Sequence, residues 1–174
     1  FKTMIGYLKG EIKYIDINSI IICVNNVGYS VYSSPKILSK KIGDVVELFI
    51  YESIREDAHD LYGFLTVNEL EFFEKLISVK GVGPKSAMTI ISSSDINMLK
   101  EGILTGDVNY VSRVKGIGKK TAERIILELA GKLNLQEILS DNTDYGLDEA
   151  NSALIALGYS EKDAKEMLKN VDKS

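Results

Sequence analysis

Apolar and polar positions alternate through the first third of the chain. Residues 5–15, 19–24, 29–33 and 45–54 are rich in β-branched and aromatic side chains, and Asn25-Asn26-Val27-Gly28, Ser34-Pro35 and Gly43-Asp44 punctuate them. A last run over residues 60–65 precedes a change of period. Five short strands in so little chain predict a small closed or nearly closed barrel of the oligonucleotide-binding (OB) type. Between the last two strands, Arg55-Glu56-Asp57-Ala58-His59 breaks the pattern and predicts a projecting hairpin tip.

From Thr66 the period becomes helical. Thr66-Val67-Asn68-Glu69 is a capping-box pattern, and helical signals run on to Leu135 with glycine interruptions. Leu99, Ile103, Val108 and Val111 are the expected core stripe. Residues 140–146 lack periodicity and read as linker. Residues 147–157 and 160–171 predict two short amphipathic helices joined at Gly158-Tyr159, a unit too small for a substantial core and so expected to dock through its apolar face. The expected division is a barrel at 1–65, an all-α domain at 66–137, a linker at 138–146 and a small helical domain at 147–174: β first, then α.

Inside the helical stretch one nonapeptide occurs twice. Residues 79–87 read Val-Lys-Gly-Val-Gly-Pro-Lys-Ser-Ala and residues 114–122 read Val-Lys-Gly-Ile-Gly-Lys-Lys-Thr-Ala, identical at six of nine positions. Each copy lies between two short apolar helical runs, which makes it a helix, a tight glycine turn and a helix. Two glycines around one aliphatic residue allow a sharp turn and close approach to another molecule, with Val82 or Ile117 plugging the space between helices. Unpaired N–H groups at the start of the second helix, beside Lys85, Lys119 and Lys120, suit phosphate. A lone Gly-x-Gly would be an ordinary helix cap; recurrence with lysines in the same place favours a tandem clamp on a nucleic-acid backbone. Neither copy completes a Walker A loop or a dinucleotide fingerprint, and neither follows a strand.

Charge sharpens this reading once it is divided along the chain. The net charge is −4, yet residues 65–137 carry +1, and Arg113, Lys115, Lys119, Lys120 and Arg124 crowd the second turn against only Glu123. The single cysteine, Cys23, sits in an aliphatic run and cannot form an internal disulfide; with no apolar run of membrane-spanning length, a cytoplasmic address is expected. Met4-Ile5-Gly6 reads as a natural start, with Phe1-Lys2-Thr3 as an extension.

Glu56 and Asp57, with Asp60 nearby, raise metal-dependent nuclease chemistry. Neighbouring strand residues point to opposite faces and do not converge on an ion, so no metal site is expected. His59 reads as a hydrogen-bonded turn residue. Two other classes stay open: a helix-hairpin-helix DNA-repair enzyme, and a single-strand-binding OB adaptor stacking bases on Tyr7, Tyr14, Tyr29 and Tyr32.

The Met4-Ile-Gly start, Asn26-Val-Gly-Tyr29, Arg55-Glu-Asp-Ala-His59, Leu61-Tyr-Gly-Phe64, the two hairpins, the run from Gly116 to Arg124 and Ala153-Leu-Ile-Ala-Leu-Gly-Tyr159 together resemble the RuvA family, in the same order and spacing. The resemblance implies a non-catalytic, cofactor-free subunit that binds four-way Holliday junctions as a homotetramer, or octamer. It also implies partnership with a RuvB-type hexameric ATPase, which uses the ATP, and with a junction-resolving nuclease. It carries DNA-backbone roles onto Gly81, Val82, Gly83, Lys85, Gly116, Ile117, Gly118, Lys119, Lys120 and Arg124, and a contact near the crossover onto Arg55. Glu56 and Asp57 match an acidic pin at the junction centre, and Leu154, Leu157 and Tyr159 match a motor-binding face. The family's third domain usually has three helices after a longer linker; two are read here, so that domain is expected to be incomplete.

Overall fold

The computed structural model describes residues 4–133 and Leu154. Strands β1 (Tyr7–Ile15), β2 (Ser19–Val24), β3 (Val27–Ser33), β4 (Val45–Ile54) and β5 (His59–Phe64) close into a barrel in the order β1-β2-β3-β5-β4. The closing pair, β3 with β5, is parallel, and the other neighbours are antiparallel.

Alternation explains the barrel. Along β4 the side chains of Val46, Leu48 and Ile50 point inward to the barrel core, while Phe49 and Tyr51 point outward to the helices. β5 breaks the alternation because both of its faces are buried: Leu61 joins the barrel interior, and Tyr62 and Phe64 join the helical core. At Gly63 a Cβ would come within 2.7 Å of Val31, so the interior admits only hydrogen there.

Two local features differ from the sequence reading. The turn between β2 and β3 is only Asn25-Asn26, both at positive φ (48° and 66°), so Val27 and Gly28 belong to the strand. Asn tolerates this left-handed region better than most residues, which suits a two-residue hairpin of the I′ kind. Ser34-Pro35 does not simply end a strand; it opens a short helix, α1 (Pro35–Leu38), whose fully buried Ile37 packs into the barrel core. Proline at the first helical position needs no N–H and fits that start.

Helices α2 (Val67–Ile77), α3 (Pro84–Ser93), α4 (Ile96–Thr105), α5 (Val108–Arg113) and α6 (Lys119–Leu129) follow. The Thr66 side chain accepts from the Glu69 N–H, as the capping pattern predicts. Glu69 reaches back to the Leu65 N–H rather than to Thr66 itself, so the box is closed one residue early. Leu99, Ile103 and Val111 are fully buried, and Val108 packs at the edge of the same core. An aromatic seam welds barrel to helices: Phe73 of α2 lies 4.9 Å from Phe64, 5.1 Å from Tyr51 and 5.4 Å from Tyr62 between ring centroids. Burial first, and then the nearby Asp60 charge, push the Tyr62 phenol up to about 12, so it stays neutral in the seam.

The inward row of β4 ends in a charge. Glu52 is buried and accepts hydrogen bonds from the Met4 and Ile5 N–H groups at 2.8 and 3.3 Å, and shares a 2.7 Å bond with His59 Nε2. Burial opposes ionisation, but the bonds from His59 and the two backbone groups outweigh it and hold the carboxyl below its ordinary 4.5. A carboxylate lowered in the folded state stabilises above its unfolded value and loses that contribution as pH falls through the folded one. Replacing Glu52 by Gln should therefore lower the unfolding temperature most near neutral pH, with the gap to wild type closing below about pH 4.5. Thermal melts of both proteins across acid pH check this; a gap that widens on acidification contradicts it.

Candidate nucleic-acid interface

The two nonapeptides adopt one geometry. In the first, the Val82 N–H donates to the Val79 carbonyl at 3.0 Å and the Ala87 N–H to the Gly83 carbonyl at 2.9 Å; in the second, Ile117 donates to Val114 at 3.0 Å and Ala122 to Gly118 at 2.9 Å. Gly81 and Gly116 sit at φ +93° and +91°, where an L side chain is strained. Val82 and Ile117 are only 4% and 5% exposed, so each plugs the core under its turn. Their N–H groups are spent inside the turn, and these two residues offer a ligand only backbone oxygen.

The outward donors lie one step further on. Gly83 and Gly118 are the N-caps of α3 and α6 and supply no side-chain cap. Pro84 opens α3 without an N–H, so the donors left over by the helix are those of Lys85 and Ser86 in α3 and of Lys119, Lys120 and Thr121 in α6. Lys85, Lys119 and Lys120 stand exposed in those first turns. Gly83 and Gly118 have ordinary extended backbones (φ −87° and −85°), and a Cβ on either would meet nothing within 4 Å. The fold does not require glycine at these two positions.

The hairpins also hold each other. Arg124 of α6 donates through Nη1 to the Lys80 carbonyl at 2.8 Å, and a Cβ on Gly81 would lie 3.4 Å from the same Nη1. Reciprocally, a Cβ on Gly116 would lie 3.5 Å from Thr89 Cγ2 of α3. Thr89 and Arg124 occupy the same place in the two repeats, eight residues after Gly81 and Gly116. Arg124 is thus a brace between the hairpins with part of its guanidinium fork left over. Only the equivalence of positions 89 and 124 in the repeat could have signalled it.

Lys85 is also committed in part, its Nζ standing 5.9 Å over the Tyr32 ring. Tyr32 stacks on Tyr62 at 5.2 Å, and the Tyr7 hydroxyl donates to Glu47, so both rings have partners within the chain. At the far end of the barrel, Arg55, Glu56 and Asp57 form the projecting tip between β4 and β5. The tip is closed by the Arg55 N–H to the Ala58 carbonyl at 2.8 Å. Glu56 and Asp57 are exposed in the bend, whereas Arg55 is held back by a 2.7 Å ion pair with Asp60. His59 lies in β5 rather than in the turn, bonded to Glu52. Among the described residues no three His, Cys, Asp or Glu side chains converge as a metal site, and no helix is long and apolar enough to cross a membrane. Leu154 is helical and half-buried; Leu157 and Tyr159 lie outside the described residues.

Three family models match the chain: the RuvA N terminal domain over residues 4–63, a SAM-like helix-hairpin-helix tandem over 73–131, and the RuvA C-terminal domain over 146–174. Similar curated proteins include those of Clostridium perfringens strain SM101 and Clostridium botulinum strain Eklund 17B, each 43% identical. That of Clostridium beijerinckii is 44% identical. In all three the match covers 98% of this chain and 92% of the relative, and each is named Holliday junction branch migration complex subunit RuvA.

If Arg124 braces the hairpins, its effect shows without any ligand. Arg124→Ala should cost about 1 kcal/mol, the net worth of one such hydrogen bond, and lower the unfolding temperature by roughly 2–4 °C. Lys120→Ala, which removes an exposed side chain with no partner among the described residues, should leave it unchanged. Melts of the free proteins decide the matter, and equal midpoints for the two variants would remove the brace.

Proposed function

This chain belongs to the RuvA family, and from that premise we propose that it binds four-way DNA junctions through backbone phosphates and holds them open and square-planar. In this reading it works as a homotetramer, with an octamer as a further assembly. It recruits a RuvB-type hexameric ATPase for branch migration and works alongside a junction-resolving nuclease, performing no catalysis itself. A ring of identical subunits is the economical match to fourfold DNA, since each presents the same patch.

One observation carries the phosphate reading. Gly83 and Gly118 are glycines in open space with unstrained backbones, so the need for them comes from outside the fold. A backbone phosphate resting on the helix N-termini must come closer than a Cβ would allow. Gly81, Gly83, Gly116 and Gly118 then shape the cradle, Val82 and Ile117 anchor it from below, and Lys85, Lys119 and Lys120 supply charge. Arg124 ties the two cradles together while its spare N–H groups face the same DNA.

The pin works by the opposite sign. Exposed Glu56 and Asp57 on a stiff two-stranded projection repel phosphate at the crossover, where four subunits would gather eight carboxylates. Arg55, paired with Asp60, steadies the base of that projection. Leu154, Leu157 and Tyr159 are proposed to meet the motor.

These assignments separate cleanly in gel shifts on a four-way junction with equal-length duplex as competitor. Gly118→Ala should leave the unfolding temperature within experimental error and weaken junction binding; a normal affinity would show that nothing approaches the turn closely. Lys119→Ala with Lys120→Ala should flatten the salt dependence of binding by about one unit per lost phosphate contact. Glu56→Gln with Asp57→Asn should tighten binding at every salt concentration, because repulsion is removed; weaker binding throughout would overturn the pin.

A further inference from the structure

Between the barrel and the first hairpin helix lies a cleft of about 520 Å³ that has only Lys85 in common with the hairpin cradles. Its walls come from three places: Asn18 and Tyr32 of the barrel, Ser92 of α3, and Lys115 just before the second glycine turn. Lys85 reaches in from the first turn of α3. Two lysines and no carboxylate line it, in a chain that carries a net −4. The positive charge is therefore placed, not incidental to a basic surface.

The Lys85 ammonium is already positioned. It sits over Tyr32, whose other support is the stacked ring of Tyr62, so little side-chain freedom remains for an anion to remove. Hydroxyl and amide groups at Ser92 and Asn18 add neutral hydrogen-bonding capacity, while Pro35, Leu38 and Met88 give an apolar wall. A charged end, polar sides and an apolar wall in a volume of this order fit a small molecule or one residue of a polymer. Double-stranded DNA is too broad to enter. We propose that the cleft binds a single unpaired nucleotide, its phosphate on Lys85 and Lys115 and its sugar and base along the apolar wall.

This inference takes its ligand class from the nucleic-acid reading of the hairpins. The nucleotide could belong to a displaced strand of bound DNA or be free in solution, and the chemistry of recognition is the same. Lys115 precedes Gly116 in the second repeat but supplies none of the glycines or helix-start lysines of the cradles, so its removal tests the cleft with those groups left in place.

Amide shifts of Asn18, Ser92 and Ser93 report on the cleft, and those of Gly118 and Lys119 on the second hairpin. The full chain is titrated separately with a short oligothymidylate, with thymidine monophosphate and with inorganic phosphate. The expected result is saturable movement of the cleft amides with oligothymidylate, or with both it and the mononucleotide, and about tenfold weaker binding in Lys115→Ala, a loss typical of one charge-assisted contact. Saturation by the oligonucleotide alone identifies a strand as the source; equal saturation by the monophosphate identifies the free nucleotide. Still cleft amides in both arms, unchanged binding in Lys115→Ala, or equal affinity for inorganic phosphate would overturn the proposal. Junction gel shifts on wild type, run in parallel, keep this outcome apart from the phosphate-clamp reading: a protein that grips junctions while its cleft stays silent refutes the cleft alone.

Discussion

Everything at the hairpins depends on where one aliphatic side chain goes. Val82 and Ile117 are driven out of water beneath their turns, which fixes the backbone on either side. With the middle residue pinned inward, the preceding glycine must take a positive φ and the following one must face out. The turn is shaped by burial and merely permitted by glycine. The same burial spends the N–H of the middle residue and leaves those of the next helix start for something else.

Two kinds of glycine thereby share one motif. Gly81 and Gly116 answer to the fold, since their torsions exclude other residues at low cost. Gly83 and Gly118 answer to no internal contact. The aromatic seam around Phe73 plays a comparable double part at larger scale. It gives β5 a buried outer face, and it also makes barrel and helices one unit, so that Lys85 on a helix can rest on a barrel tyrosine.

Much of this was legible in the sequence because the signals were local. The repeated nonapeptide predicted two equal turns, and the bonds agree to within 0.1 Å. The capping pattern at Thr66 and the charged tip at 55–57 were equally readable, since each rests on neighbours in the chain. What escaped was set by distance along it. The parallel pairing of β3 with β5, the buried Glu52 under the Met4 and Ile5 amides, and the Arg124 bond to Lys80 join residues that no short window contains. Helix α1 was missed for another reason: Ser-Pro signals a turn and a helix start alike, and only the pull of Ile37 into the barrel decides between them.

The reciprocal touch between hairpins has one more consequence. Position 89 of the first copy meets Gly116 of the second, and position 124 of the second meets Gly81 of the first. That is the contact pattern of an isologous pair, in which residue i meets j and j meets i, realised within a single chain. Two identical halves would have to use the same side chain at both contacts. Two halves in one chain escape that restriction, and here they differ: threonine supplies a methyl group at one contact and arginine a long polar arm at the other. A repeat within one chain thus makes an asymmetric joint whose two sides can be tuned separately.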